Sequence, residues 1–291
     1  TLSLFDNETK FSLRSYLMIK EYLKIIEPEY LITTFEGFPW EREIFRSTKE
    51  FDKNIKTIGY QQVFLNENYK SIFFKLSNNR DPEIIWTLDS FSKNLFLKSD
   101  LKKKKINVIG NLKFQKRKKF KCNFKKYKNN ILVIPEGIES ECIKLFKTSL
   151  EVALKEKNLN FIWRVHPVIN MQDILKKMKL ESYLPLNINI SREKNLNKDL
   201  SKCKFVFYRG SAVAIEAVNS GLVPIYLNQI NEPNIDILKS HKKKSDYINN
   251  SKQFLLLIKK YSKKNIPKSK ISFRKDSEKI NIRELNNLGN D

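Results

Sequence analysis

The stretch NFIWRVHPVI, residues 160–169, places one of only two histidines where an apolar run stops. On a regular strand Arg164 and His166 share a parity and face one side. A guanidinium and an imidazole at a strand's carboxyl end suit an anion, most simply a phosphate. Pro167 stops the strand from continuing as a ladder donor. The plainer alternative is a histidine hydrogen-bonded within a loop. In FVFYRGSAVAIEAVNSG, 205–221, an apolar strand meets Arg209, Gly210 and Ser211 just before a helix. The N–H groups at such a helix start attract anions, and Ser211 adds a hydroxyl. Read plainly, this is a strand–turn–helix with Ser211 as the cap and Glu216 in solvent. In LITTFEGFPWERE, 31–43, a strand ends in Glu36 and Gly37. A carboxylate beside glycine can reach into a cleft, or it can cap the following helix. VIPEG, 133–137, ends the same way in Glu136 and Gly137.

These residues need strands that end at one edge and helices that begin there. Apolar periodicity predicts helices over 8–26, 39–51, from Ser90, 139–158, 171–180 and 212–221. Pro39 suits a first helical turn, Ser90 suits an N-cap, and Gly221 suits a helix end. Strands are predicted over 29–35, 55–61, 83–89, 105–111, 130–137, 160–167, 188–191, 204–211 and 223–228. Strands alternating with helices argue for parallel α/β sheets, whose ligands bind at the strands' carboxyl ends. The rhythm breaks at LKFQKRKKFKCNFKKYKNN, 112–130, basic with interleaved aromatics. The predicted organisation is a first α/β domain at 1–112, a linker at 113–129, a second domain at 130–262 and a polar tail at 263–291. The tail is expected to be partly helical and to pack back on the first domain.

At 291 residues the chain suits two compact domains. A hydrophobic fraction of 41% excludes a disordered chain. The longest clean apolar run, FLLLI at 254–258, is far short of the roughly 18 residues that span a bilayer. No secretory signal is visible at the N-terminus, which also lacks a starting Met. Cys122, Cys142 and Cys203 are odd in number and form no CxxC pair, which argues against disulfides or zinc and for a reducing cytoplasm. The net charge of +24 is spread along the whole chain. Compositional bias explains much of it, yet the field must still attract anions: nucleic acid, an anionic membrane or an acidic substrate.

Together the motifs resemble the two-domain glycosyltransferases of GT-B fold, and among them the bacterial enzymes that use CMP-activated ulosonic acids, sialyltransferases and Kdo transferases. RVHP resembles that group's His-Pro motif and FEG its acid–Gly motif. YRGSAVAIEAVNSGLVPIYL is similar to its serine-bearing turn and Glu-bearing helix. FEGFPWERE and IGYQQ also look like segments of bacterial surface-carbohydrate biosynthesis proteins, which adds Gly37 and Gln61 as acceptor-side residues. The resemblance runs from about residue 29 to 230. Gly210–Ser211 stands where the family has paired serines, and Phe35–Glu36 where it has a doubled acid. The first domain is short for the family, so its N-terminal part is expected to be absent.

The resemblance implies two Rossmann-like domains facing across a cleft. It implies Glu36 as the general base on the acceptor hydroxyl and His166 on the donor phosphate. Ser211 would hold the same phosphate and Glu216 the ribose hydroxyls. Arg164, Pro167, Glu136, Gly137, Arg209 and Gly210 complete the expected donor side. Transfer would invert the sugar, with no metal and no cofactor beyond the nucleotide-sugar substrate. The expected partners are that donor, a glycan or glycolipid acceptor, and an anionic inner membrane face reached through basic segments. The rivals are a CDP-polyol phosphotransferase, which would want a second histidine in the first domain, and a nucleotide-sugar epimerase. A basic nucleic-acid-binding protein is the rival of another class, but no helix-turn-helix, zinc-finger, RRM or KH signature supports it.

Overall fold

A computed structural model describes residues 6–65, 68, 70–77, 79–110, 126–239 and 245–263. The chain divides into two compact units, whose described parts lie within 6–110 and 126–263. Apart from 126–129 and 263, the expected linker and tail lie outside the described residues, as do Cys122 and His241.

The first unit opens with helix α1 (Asn7–Ile26), which packs on α2 (Pro39–Phe51). Its sheet is parallel and runs in chain order: β1 (Tyr30–Thr34), β2 (Lys56–Tyr60), β3 (Ile84–Thr87) and β4 (Lys105–Val108). Phe35, Phe45, Ile85 and Phe96 fill its core, with Phe35 edge-on to Phe45 and stacked on Phe96. Pro39 opens α2 as expected. Helix α3 (Ser90–Leu97) is capped by Asp89 rather than Ser90, because the Asp89 carboxylate accepts from the Ser92 N–H at 2.7 Å.

Among its described residues the second unit has six parallel strands: β5 (Asn130–Ile134), β6 (Asn160–Trp163), β7 (Ile188–Ile190), β8 (Phe205–Tyr208), β9 (Val223–Leu227) and β10 (Asp246–Ile248). Their order in space is β10-β9-β8-β5-β6-β7. From β5 the chain builds outward to β7, then returns to the other side of β5 and builds outward to β10. The reversal lies between β5 and β8, and such a switch point opens a crevice at the strands' carboxyl ends.

Helices α4 (Glu139–Lys155), α5 (Met171–Lys177), α6 (Leu196–Ser201), α7 (Val213–Asn219) and α8 (Ser251–Lys263) connect or cover these strands. The core joins Ile131, Val133, Phe161, Phe207 and Ile225 to Phe146 and Trp163, which stack at 4.3 Å. The expectations omitted α6, β10 and α8. The run FLLLI belongs to α8, whose Phe254 is fully buried against Phe161 and Phe207. It covers the sheet and crosses no membrane. Among the described residues, no helix is long and apolar enough to cross one.

Candidate functional site

Register brings the expected donor-side residues together. Ile134 pairs with Tyr208 across β5 and β8, so the chain beyond β5 runs beside the chain beyond β8. There Glu136 meets Gly210: a Cβ on Gly210 would lie 2.5 Å from the Glu136 Oε2. Gly210 also has φ +73°, so both space and backbone require glycine. On the other flank Val133 pairs with Trp163, and the chain beyond β6 runs beside Gly137. The His166 Nδ1 is 3.1 Å from where a Gly137 Cβ would be. Glu136, Gly137, His166 and Gly210 therefore share one edge, at the switch point.

His166, Pro167 and Val168 are exposed. The Val168 N–H approaches the His166 Nδ1 at 3.4 Å, an arrangement that leaves the proton of a neutral ring on Nε2. Among the described residues no hydrogen bond to the half-buried Glu136 carboxylate is seen. Burial raises its pKa above the ordinary 4.5, the Glu141 carboxylate adds to this, and Arg209 opposes it. The site thus holds an exposed histidine whose neutral ring keeps its proton on Nε2, and a carboxyl group whose pKa burial raises. Helix α4 starts here with Ile138 in the cap position and no side-chain cap, so among the described residues its first N–H groups have no capping acceptor.

Other expected donor-side residues hold the frame. Arg209 is only 2% exposed. Its Nε donates to Glu141 at 2.7 Å and one terminal nitrogen to Glu232 at 2.6 Å. Lys144 bonds the same two carboxylates. A guanidinium this deep needs counter-charges, so Arg209 clasps α4 to the loop after β9. Arg164 does not share a strand face with His166, because β6 ends at Trp163. Its guanidinium bonds Asp199 at 2.6 Å and the Glu193 carbonyl at 2.7 Å. Ser211 is buried, but Ala212 occupies the cap position of α7, and among the described residues no side-chain cap of that helix is seen. Glu216 is half-buried in the first turn of α7.

In the first unit, Glu36 and Gly37 follow β1 as expected. Gly37 has φ +88°, and a Cβ there would lie 2.6 Å from the Ile72 N, in the 3-10 turn Ser71–Phe73. The capping role considered for Glu36 belongs to Glu41. The fully buried Glu41 Oε2 accepts from the N–H groups of Glu36, Gly37 and Phe38 at 2.8, 2.9 and 3.0 Å. Its Oε1 accepts from the Thr34 hydroxyl at 2.7 Å. The expectations missed this residue, although an acid at the third position after a Pro-led helix start is a capping signal. Arg42 bonds Asp81 and the carbonyls of Ser71 and Phe74, pinning the turn over Gly37. Burial lowers its pKa to about 10, so it stays charged at neutral pH. Gln61 is fully buried. Its amide donates to the Val63 carbonyl and accepts from the Leu88 N–H, which ties the end of β2 to the end of β3.

No protein-family model matches the chain, and no curated protein sequence matches it. Solved structures do match in shape. UDP-GlcNAc 2-epimerase from Neisseria meningitidis, bound to UDP-GlcNAc, is similar with a TM-score of 0.62 at 11% identity, covering 98% of this chain and 83% of that one. The glycotransferase of kitacinnamycin is similar with a TM-score of 0.63 at 10% identity, covering 99% and 84%. S. aureus MnaA with UDP is similar with a TM-score of 0.59 at 12% identity, covering 89% and 74%. At such identities the likeness is one of fold: the chain is an α/β protein with two parallel sheets and a GT-B-like architecture.

Proposed function

We propose that the chain is a nucleotide-sugar enzyme that transfers a sugar from its nucleotide donor to a glycan or glycolipid acceptor. One observation carries this reading: the switch point between β5 and β8 is lined by Glu136, Gly137 and Gly210, with His166 across Gly137. The crevice ends of such sheets bind nucleotides, and two proteins of similar shape hold UDP or UDP-GlcNAc.

In this reading the donor phosphate lies over Gly137 and Gly210, where the backbone can approach it closely. His166 donates from Nε2 to the phosphate oxygen that gains charge as the glycosidic bond breaks. That bond strengthens as charge develops, so it favours the transition state over the ground state. Ser211 and Glu216 serve the phosphate and ribose. Glu36 accepts the proton of the acceptor hydroxyl, and a single displacement inverts the sugar without a metal. We take the donor to be CMP-linked, on the strength of the His-Pro and acid–Gly motifs, and the enzyme to work at the cytoplasmic face of an anionic membrane.

The test is a thermal-shift titration with CMP, CDP, UDP and GDP on the wild type and His166→Ala. A ligand at a hundred times its Kd adds about 2.7 kcal/mol of stability. CMP is expected to raise Tm selectively. The variant is expected to bind about tenfold or more weakly, since hydrogen bonds to charged groups contribute about 1.5–3 kcal/mol. If only UDP or GDP shifts Tm, the donor assignment fails and the nucleotide site stands. If no nucleotide does, the reading is wrong. Glu136 gives the site a second acid–base group, as an epimerase needs, so turnover of a sugar nucleotide without acceptor would favour epimerisation over transfer.

A further inference from the structure

Helix α1 is inside out. It turns Ser12, Ser15 and Leu23 inward and leaves Phe11, Leu17, Met18, Tyr22, Ile25 and Ile26 more than half exposed, Ile25 at 80%. The inward serines are satisfied within the helix: Ser12 bonds the Glu8 carbonyl at 2.8 Å and Ser15 the Phe11 carbonyl at 2.9 Å. Small residues on the inner face let α1 lie close to α2, where the Ser47 hydroxyl bonds the Tyr16 carbonyl at 2.8 Å. Phe11, Met18, Tyr22 and Ile25 recur at helical spacing along one face. The apolar surface continues past the helix. Phe11 meets Trp40 edge-on at 5.9 Å, Trp40 stacks with the half-exposed Phe38 at 6.5 Å, and these rings border a hollow of about 330 Å³.

A contiguous exposed apolar face marks an interaction surface. Its charge selects the occupant. Lys10, Arg14, Lys20 and Lys24 lie along the same helix against Glu8 and Glu21, and although Lys24 pairs with Glu21 at 2.8 Å the helix stays net positive. A second copy would set this basic helix against an equally basic one. An anionic bilayer offers the opposite charge at its surface and an apolar interior just beneath, which matches an apolar face on a helix of net positive charge. We propose that the first unit docks on anionic membrane through the exposed face of α1, with the Phe11, Phe38 and Trp40 rings entering the interface. The docking does not depend on the nucleotide reading. If both hold, Phe38 stands two residues beyond Glu36, which suits an acceptor carried by a lipid.

The structure supplies its own reporter. Trp40 is half-buried, whereas Trp86 and Trp163 lie within the cores at 5% and 0% exposure. The experiment is sedimentation of the full chain with vesicles of phosphatidylcholine alone or mixed with phosphatidylglycerol, followed by Trp emission and its quenching by brominated lipid. The expected result is binding to the anionic vesicles that weakens with salt, with a blue shift and quenching of Trp40. The double variant Met18→Glu/Ile25→Glu is expected to bind at least about tenfold more weakly, since burial of both apolar side chains is lost. Both positions are exposed, and an unchanged Tm and an unchanged nucleotide shift show that the variant is folded. The proposal is overturned if the chain ignores anionic vesicles at low salt. It is also overturned if the variant binds as well as the wild type, which would place the anchor elsewhere. Binding that heparin abolishes, with no Trp40 response, would mean charge attraction alone. A wild-type dimer that the variant dissociates would make a second copy the occupant.

Discussion

At the scale of residues, the switch-point edge separates groups that meet solvent from groups that hold the frame. His166 is exposed, while Arg164 bonds Asp199 and the Glu193 carbonyl and the buried Arg209 bonds Glu141 and Glu232, with its Nη1 left without a partner among the described residues. A basic residue at a strand end reads the same in sequence whichever role it has. Glu136 belongs to the first group, and its raised pKa has a testable consequence. A carboxyl whose pKa is higher folded than unfolded holds its proton more tightly in the folded state. Its contribution therefore falls as pH rises from the ordinary 4.5 through the folded pKa. Glu136→Gln is expected to melt above the wild type at neutral pH, with the difference closing below 4.5. Parallel melting curves at every pH would contradict this.

At the scale of elements, the loop after β1 depends on one buried acid. Glu41 receives three backbone N–H groups and the Thr34 hydroxyl, so Glu41→Ala leaves four donors to find water or go unpaired. An unsatisfied buried donor costs about 1–3 kcal/mol, and some will be rescued by solvent, so a net loss of about 3 kcal/mol is expected in denaturant melts. Glu36→Gln, one turn of chain away, is expected to leave stability nearly unchanged while abolishing transfer. If Glu36→Gln destabilised the chain as much as Glu41→Ala does, Glu36 would be a structural residue rather than the base. The helix starts were largely legible in advance, as Pro39 shows. The helix ends and short elements were not. Asp89 displaced Ser90 as a cap because either side chain can reach the free N–H groups and local geometry chose between them.

At the scale of the molecule, two parallel sheets carry different strand orders. The first runs β1-β2-β3-β4 without reversal, and the second reverses between β5 and β8. In the proposed function, that asymmetry is the reason for placing the donor's nucleotide on the second unit. Hydrogen exchange with and without nucleotide is expected to show protection centred on 134–138, 164–168 and 209–216. Protection centred on β1–β4 instead would reverse the assignment of the two units.

Local pattern determined much of this by itself. Apolar runs of strand length alternating with amphipathic helices required parallel α/β layers, since each element must bury one face against another. The break in rhythm near 112–130 called for two such halves, and the strand ends named Glu36, Glu136, His166 and Gly210 in advance. Tertiary structure alone decided which of these residues meet. Register across β5, β6 and β8 joins positions 136, 166 and 210, because side-by-side strands bring together residues that no sequence separation reveals. It also decided that Arg209, Arg164 and Gln61 are held inside networks, since burial follows from what packs above a strand end. And it turned the apolar side of α1 outward, where periodicity alone would have placed it in a core.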